Sequence, residues 1–136
     1  MNVEKAVFDL FEEIKQKKII SGNLLIKGIS LFGEKFEKAM LLVKNQNVIK
    51  IIGVPSGRTL WKAIGERNDY LLYPLKYCQC INFNISMSEQ KISLCKHLIA
   101  QKIAESLNQI QIEEIPDDEI PKLIKDAIKQ QNMEDQ

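Results

Sequence analysis

The chain has 136 residues, 45% of them hydrophobic and 27% charged, and a formal net charge of +1. Such a length suits one domain of ordinary size, the apolar content excludes a disordered chain, and the near-neutral balance excludes a molecule drawn to nucleic acid or acidic lipid by bulk charge. Among its 19 basic residues only Arg58 and Arg67 are arginines, which argues against dense bidentate recognition of phosphate or guanine.

The N-terminal stretch MNVEKAVFDLFEEI threads acids through its apolar residues, which is not the pattern of a secretory signal. No apolar run approaches the ~18 residues of a membrane span, so a reducing, intracellular setting is expected. Val3, Val7, Leu10, Phe11 and Ile14 recur at helical spacing and predict an amphipathic helix over residues 3–18, ended by Ser21-Gly22. NLLIKGISLFGEKFEKA carries Gly28 and Gly33, which weaken a helix drawn through it. It reads as an extended or irregular connector with room for a short helix at Glu34–Ala39.

The middle third reads as strands. KAMLLVK and VIKIIGV flank Asn45-Gln46-Asn47, a hairpin signal, and VPSGR then offers a turn with Pro55 and Gly57. RTLWKAI and YLLYPLKYC flank a second turn at GERND, giving a small antiparallel meander over residues 39–77 that Pro74 ends or marks as an edge. HLIAQKIAESLNQI follows with Leu98, Ile99, Ile103 and Leu107 on one face of a predicted helix. EEIPDDEIP reads as an acidic linker, and PKLIKDAIKQQ as a final amphipathic helix through Ile120, Leu123, Ile124, Ala127 and Ile128. The expected division is an N-terminal helix over 1–22, a meander with the cysteine-bearing segment over 23–108 (its core at 70–108), and a linker with the last helix over 109–136.

All three cysteines and the one histidine fall within twenty residues, as Cys78-x-Cys80 and Cys95-x-His97. Three sulfurs and one nitrogen make a complete tetrahedral set for zinc with no position left for water. Residues two apart on an extended chain point to one side, so Cys78 and Cys80 can grip one ion at a strand end. Residues two apart on a helix point to nearly opposite sides, so Cys95 and His97 must straddle a helix entry near Lys96. A thiolate at a helix N-terminus is favoured by the dipole, and Lys76, Lys91 and Lys96 are near enough in sequence to offset the site's excess negative charge. Three other readings explain less. Buried reduced cysteines with a surface histidine leave the paired spacing unexplained. A Cys95/His97 dyad lacks an orienting third group, and a dithiol redox site at Cys78-x-Cys80 leaves the second pair without a role.

The order CQC…CKHLIA resembles the SWIM-type zinc finger, C-x-C followed after a variable gap by C-x-H, and Ala100 matches an extended form of that pattern. VIKIIGVPSGR, Gly65 between two strands, CKHLIA and the short length together look like the Shu-complex SWIM-domain subunit family over roughly residues 23–108. One departure is Ile81-Asn82 before a matching Phe83, where relatives often carry Pro or Ala; it touches the loop and not the ligands. SWIM fingers also occur in transposases and ubiquitin-pathway proteins, which are generally longer chains.

The predicted elements make an α+β fold: a small antiparallel β-meander with a zinc-pinned helix, flanked by N- and C-terminal amphipathic helices. The resemblance covers the meander and the finger but not the terminal helices. It implies one structural Zn²⁺ per chain on Cys78, Cys80, Cys95 and His97, with Ala100 packed behind them. It further implies a noncatalytic nuclear subunit that pairs as a heterodimer with a RecA-like recombinase paralogue. That pair meets single-stranded DNA through the complex in homologous recombination and DNA repair, with neither a membrane nor a small-molecule substrate. Its rival is a self-sufficient DNA-binding finger such as a transposase-derived regulator, and a thiol enzyme stands third.

Other residues have two readings each. Arg58 and Lys96 are candidate partner or nucleic-acid contacts, although Arg58 suits a solvated turn. Trp61, with Tyr70 and Tyr73, offers a base-stacking platform or fills the meander's core. Lys15, Lys17 and Lys18 suit a helix end, and the last helix packs on its own domain or offers its isoleucines to a partner groove.

Overall fold

The computed structural model describes residues 3–65, 68–74, 77–78 and 94–134. Helix α1 runs Val3–Lys17, and its Leu10, Phe11 and Ile14 are buried as the helical spacing requires. The next segment departs from the expected connector. Ser21 does not end α1 but caps a second helix, α2 at Gly22–Phe32, its side chain accepting from the Leu24 amide at 3.4 Å. Helix α3 follows at Glu34–Lys44.

The two glycines that argue against helix both have local reasons to be there. Gly33 breaks the chain between α2 and α3 at φ 66°, and its N–H donates to the Ile29 carbonyl at 2.7 Å. Gly28 is buried against the Phe36 ring, which occupies the space a Cβ would need.

KAMLLVK therefore lies in a helix and not in the first strand of a hairpin. Phe36, Ala39 and Val43 form its buried stripe. Asn45-Gln46-Asn47 closes α3, with Gln46 at φ 60° and the Asn47 amide donating to the Leu42 carbonyl.

Strands β1 (Val48–Val54), β2 (Thr59–Ile64), β3 (Asp69–Tyr73) and β4 (Tyr77–Cys78) pair antiparallel in succession, the meander expected from the turns. YLLYPLKYC is not one strand: β3 ends at Tyr73, the chain turns at Pro74, and Leu72 pairs back with Cys78. Helix α4 runs Lys96–Leu107. The stretch expected as an acidic linker begins as strand β5, Gln111–Pro116, parallel to β1 at the sheet edge. The described sheet is thus mixed, in the order β4-β3-β2-β1-β5. A 3-10 turn at Asp117–Glu119 leads into helix α5, Ile120–Glu134, where Pro121 sits in the first turn and needs no N–H partner.

The register sorts the sheet's faces. Val48, Ala63, Trp61, Leu72 and Cys78 share one face, and all join the core formed with α1 to α4. Ile51 and Gly53 look the other way. There Ile51 lines one pocket with Leu123, and Ile120 lies against Gly53, so α5 covers the second face. Among the described residues α4 is the central helix. It packs against α1, α3 and the sheet, and His97 to Gln101 are all buried in succession. Each fully buried Leu or Ile here contributes roughly 1.5–3 kcal/mol. No helix among the described residues is long and apolar enough to cross a membrane.

Candidate metal centre

Cys95 is the N-cap of α4, with φ −78° and ψ 166°. Its carbonyl accepts the first helical hydrogen bond, from the Ile99 amide at 3.1 Å, while its side chain makes no capping bond. Lys96 is then the first helical residue and His97 the second, the boundary that a shared ion demands of a C-x-H pair. Cys78 arrives from the sheet, at the end of β4 on the core-facing side.

Together the sulfurs of Cys78 and Cys95 and a ring nitrogen of His97 lie within 4.8 Å of one another, and all three residues are buried. Zinc holds sulfur ligands at about 2.3 Å, which sets tetrahedral sulfurs roughly 3.8 Å apart. The cluster is therefore of the size that one ion needs. His97 Nδ1 is buried with no hydrogen-bond partner, so the polar surroundings of this imidazole are incomplete with the described side chains alone. Soft thiolates with an imidazole suit zinc among the common divalent ions. Tyr70 of β3 lies over the histidine, ring centroids 4.9 Å apart at 41°, and restricts how the imidazole can turn.

Cys80 lies outside the described residues, as do Lys76, Ile81, Phe83 and Lys91. Lys96, half-buried between Cys95 and His97 in the chain, is the one described cation of the three named for charge offset. Ala100 is completely buried in the core one turn beyond His97.

Arg58 and Trp61 stand apart from the cluster. Arg58 is exposed at the β1–β2 turn and borders a groove with Ile120, Pro121, Ile124, Lys125 and Ile128 of α5. Trp61 is a core residue, 7% exposed with Lys50 Nζ 5.6 Å from its ring centroid, so it offers no stacking face. Tyr73 is 61% exposed at the end of β3, and Tyr70 packs on His97, so the three aromatics form no common platform. Sequence reasoning passed over Gln101, wholly buried one turn after His97. Its i, i+4 spacing from the histidine is the signal that finds it.

The chain is 27% identical over 125 residues to zinc finger SWIM domain-containing protein 7 of Mus musculus, covering 90% of this chain and 82% of that protein. These matches support a zinc finger SWIM domain-containing protein 7-like family. The second is the homologue of that protein in Dictyostelium discoideum, 24% identical over 122 residues, or 88% of this chain and 76% of the relative. No protein-family model and no solved structure matches the chain. Both relatives bear the names of zinc-finger proteins and not of enzymes. With the Cys78, Cys95 and His97 cluster, the similarity supports a zinc-finger protein with a metal-binding site.

Proposed function

We propose that this chain is a noncatalytic zinc-binding subunit of a Shu-type complex, supporting homologous recombination and DNA repair through a RecA-like recombinase paralogue. The observation that carries the reading is the meeting of Cys78, Cys95 and His97, in the order of a SWIM finger, between a sheet edge and the cap of the central helix.

Cys78, Cys80, Cys95 and His97 would hold one structural zinc ion. When bound, that ion supplies cross-linking rather than bond chemistry, because four protein ligands leave it no position for a substrate. The chain's own residues set the grip. Cys95 presents its sulfur where the helix dipole favours a thiolate, Tyr70 limits rotation of His97, and Ala100 is small enough to let α4 lie close behind the site. Structural zinc contributes ~10–16 kcal/mol apparent in small fingers, more than the net stability of many domains. The short β4, joined to β3 through two residue pairs, gains the most from such a staple.

A net charge of +1 supports DNA contact shared with a partner over solitary binding, since phosphate neutralisation is the main source of such affinity. A role on chromosomal DNA implies the nucleus. Affinity purification of the full chain from cells that express it, with metal analysis, tests the reading. Recovery of a small RecA-like ATPase with one zinc per chain is expected. A zinc-loaded chain that binds single-stranded DNA alone at micromolar concentration, salt-dependently and with no such ATPase recovered, would replace it with the self-sufficient DNA-binding finger.

A further inference from the structure

Among the described residues two buried side-chain polar atoms lack a hydrogen-bond partner: His97 Nδ1 and Gln101 Oε1. They belong to residues four apart on α4, hence to one face of the helix, and both side chains lie in the core. Two orphaned polar atoms on buried side chains one helical turn apart are a paired problem. An amide oxygen can only accept, so it is satisfied if its neighbour becomes a donor.

Metal binding makes that change. A histidine that gives one ring nitrogen to an ion carries its proton on the other, and ligating histidines almost always donate that N–H to a nearby acceptor. The orientation of Gln101 is fixed independently. Its Nε2 donates to Glu105 Oε2 at 3.4 Å, and a carboxylate cannot donate in return, so the amide cannot flip and the oxygen is the atom left over. Glu105 is itself held, its Oε1 accepting from Lys102 Nζ at 3.2 Å.

We propose that Gln101 is the positioning residue of the metal centre: its Oε1 accepts the proton of His97 Nδ1, directing Nε2 to the ion, with Lys102 and Glu105 holding the amide in place. This inference rests on the reading of Cys78, Cys95 and His97 as metal ligands. It accounts for both orphans with one bond, and it gives a fully buried glutamine a role.

The test uses the full chain labelled with ¹⁵N-histidine and loaded with zinc. His97 is the one histidine, so its ring signals need no assignment. The expected spectrum has Nε2 on the metal and a slowly exchanging proton on Nδ1. Gln101→Leu should still take one zinc but bind it about 10–100-fold more weakly, with faster exchange of the Nδ1 proton. The double variant Gln101→Glu/Glu105→Gln restores an acceptor at position 101 and a donor at 105, and it should return both properties toward wild type. It also serves where Gln101→Leu does not fold. Zinc on Nδ1, unchanged affinity and exchange in Gln101→Leu, or no recovery in the double variant would overturn the proposal while leaving the metal site standing. A wild-type chain that takes no zinc would overturn the metal reading itself.

Discussion

Cys95 caps the helix in which His97 is the second residue, and both present donor atoms within 4.8 Å of the Cys78 sulfur. A helix entry is the one place where residues two apart can converge, because the capping residue is still extended while its neighbour has begun to turn. The central helix and the sheet edge therefore share a joint made of three side chains. Removing one of them should open that joint. His97→Ala is expected to destabilise the protein by more than ~4 kcal/mol, the range reached when a metal site is lost. Urea denaturation with zinc supplied measures it, and a change under ~1 kcal/mol would show that the histidine is only packing.

Gly28 and Phe36 set the approach of α2 to α3. A methyl group at position 28 would meet the ring of Phe36, which is fully buried. Gly28→Ala should cost ~1–3 kcal/mol, the usual penalty for overpacking. Phe36→Leu made in the same chain should recover part of it, so a double-mutant cycle should give a favourable coupling between the two changes. Additive losses would place the strain elsewhere.

Asp117 ties the β1–β2 turn to the entrance of α5. Its Oδ2 accepts from the Ser56 amide at 2.9 Å and its Oδ1 from the Ser56 hydroxyl at 2.6 Å. The Ser56 hydroxyl oxygen in turn accepts from the Arg58 amide at 3.1 Å. These bonds are exposed, so their net worth is modest. Asp117→Ala should cost ~1 kcal/mol and speed hydrogen exchange at the Ser56 amide roughly fivefold. Exchange at Ser56 that does not change would mean the turn holds itself.

Lys62 lies between Asp69 at 3.9 Å and Glu113 at 3.7 Å, with its side chain 16% exposed while both acids are about half exposed. Pairs of this kind gain little, because the acids remain in water and salt screens them. Lys62→Met should shift stability by less than ~1 kcal/mol in either direction and reduce its salt dependence. A loss above ~3 kcal/mol would instead mark a desolvated pair.

What the sequence makes legible follows from which constraints are local. The start of α4 at Lys96 is readable because the C-x-H spacing admits one backbone geometry, and the amphipathic patterns of α1 and α5 carry their own period. KAMLLVK misleads because an unbroken apolar run has no period to choose between helix and strand. The choice falls to Phe36, Ala39 and Val43 meeting the rest of the core. Strand β5 is silent for another reason. Its residues are largely exposed, Ile112 at 65%, and its ladder to β1 is made by backbone groups that any sequence supplies. Gln101 is legible as a helical residue but not as a buried one, since polar side chains usually face water.

In the proposed function one zinc ion joins the sheet edge to the central helix. Metal analysis of the purified full chain, before and after chelation and with far-UV circular dichroism recorded in parallel, reads it directly. One zinc per chain is predicted, lost in Cys78→Ala and Cys95→Ala, with chelation unfolding the region around β4 and the start of α4. A metal-free chain whose thermal stability is the same with and without zinc would contradict it.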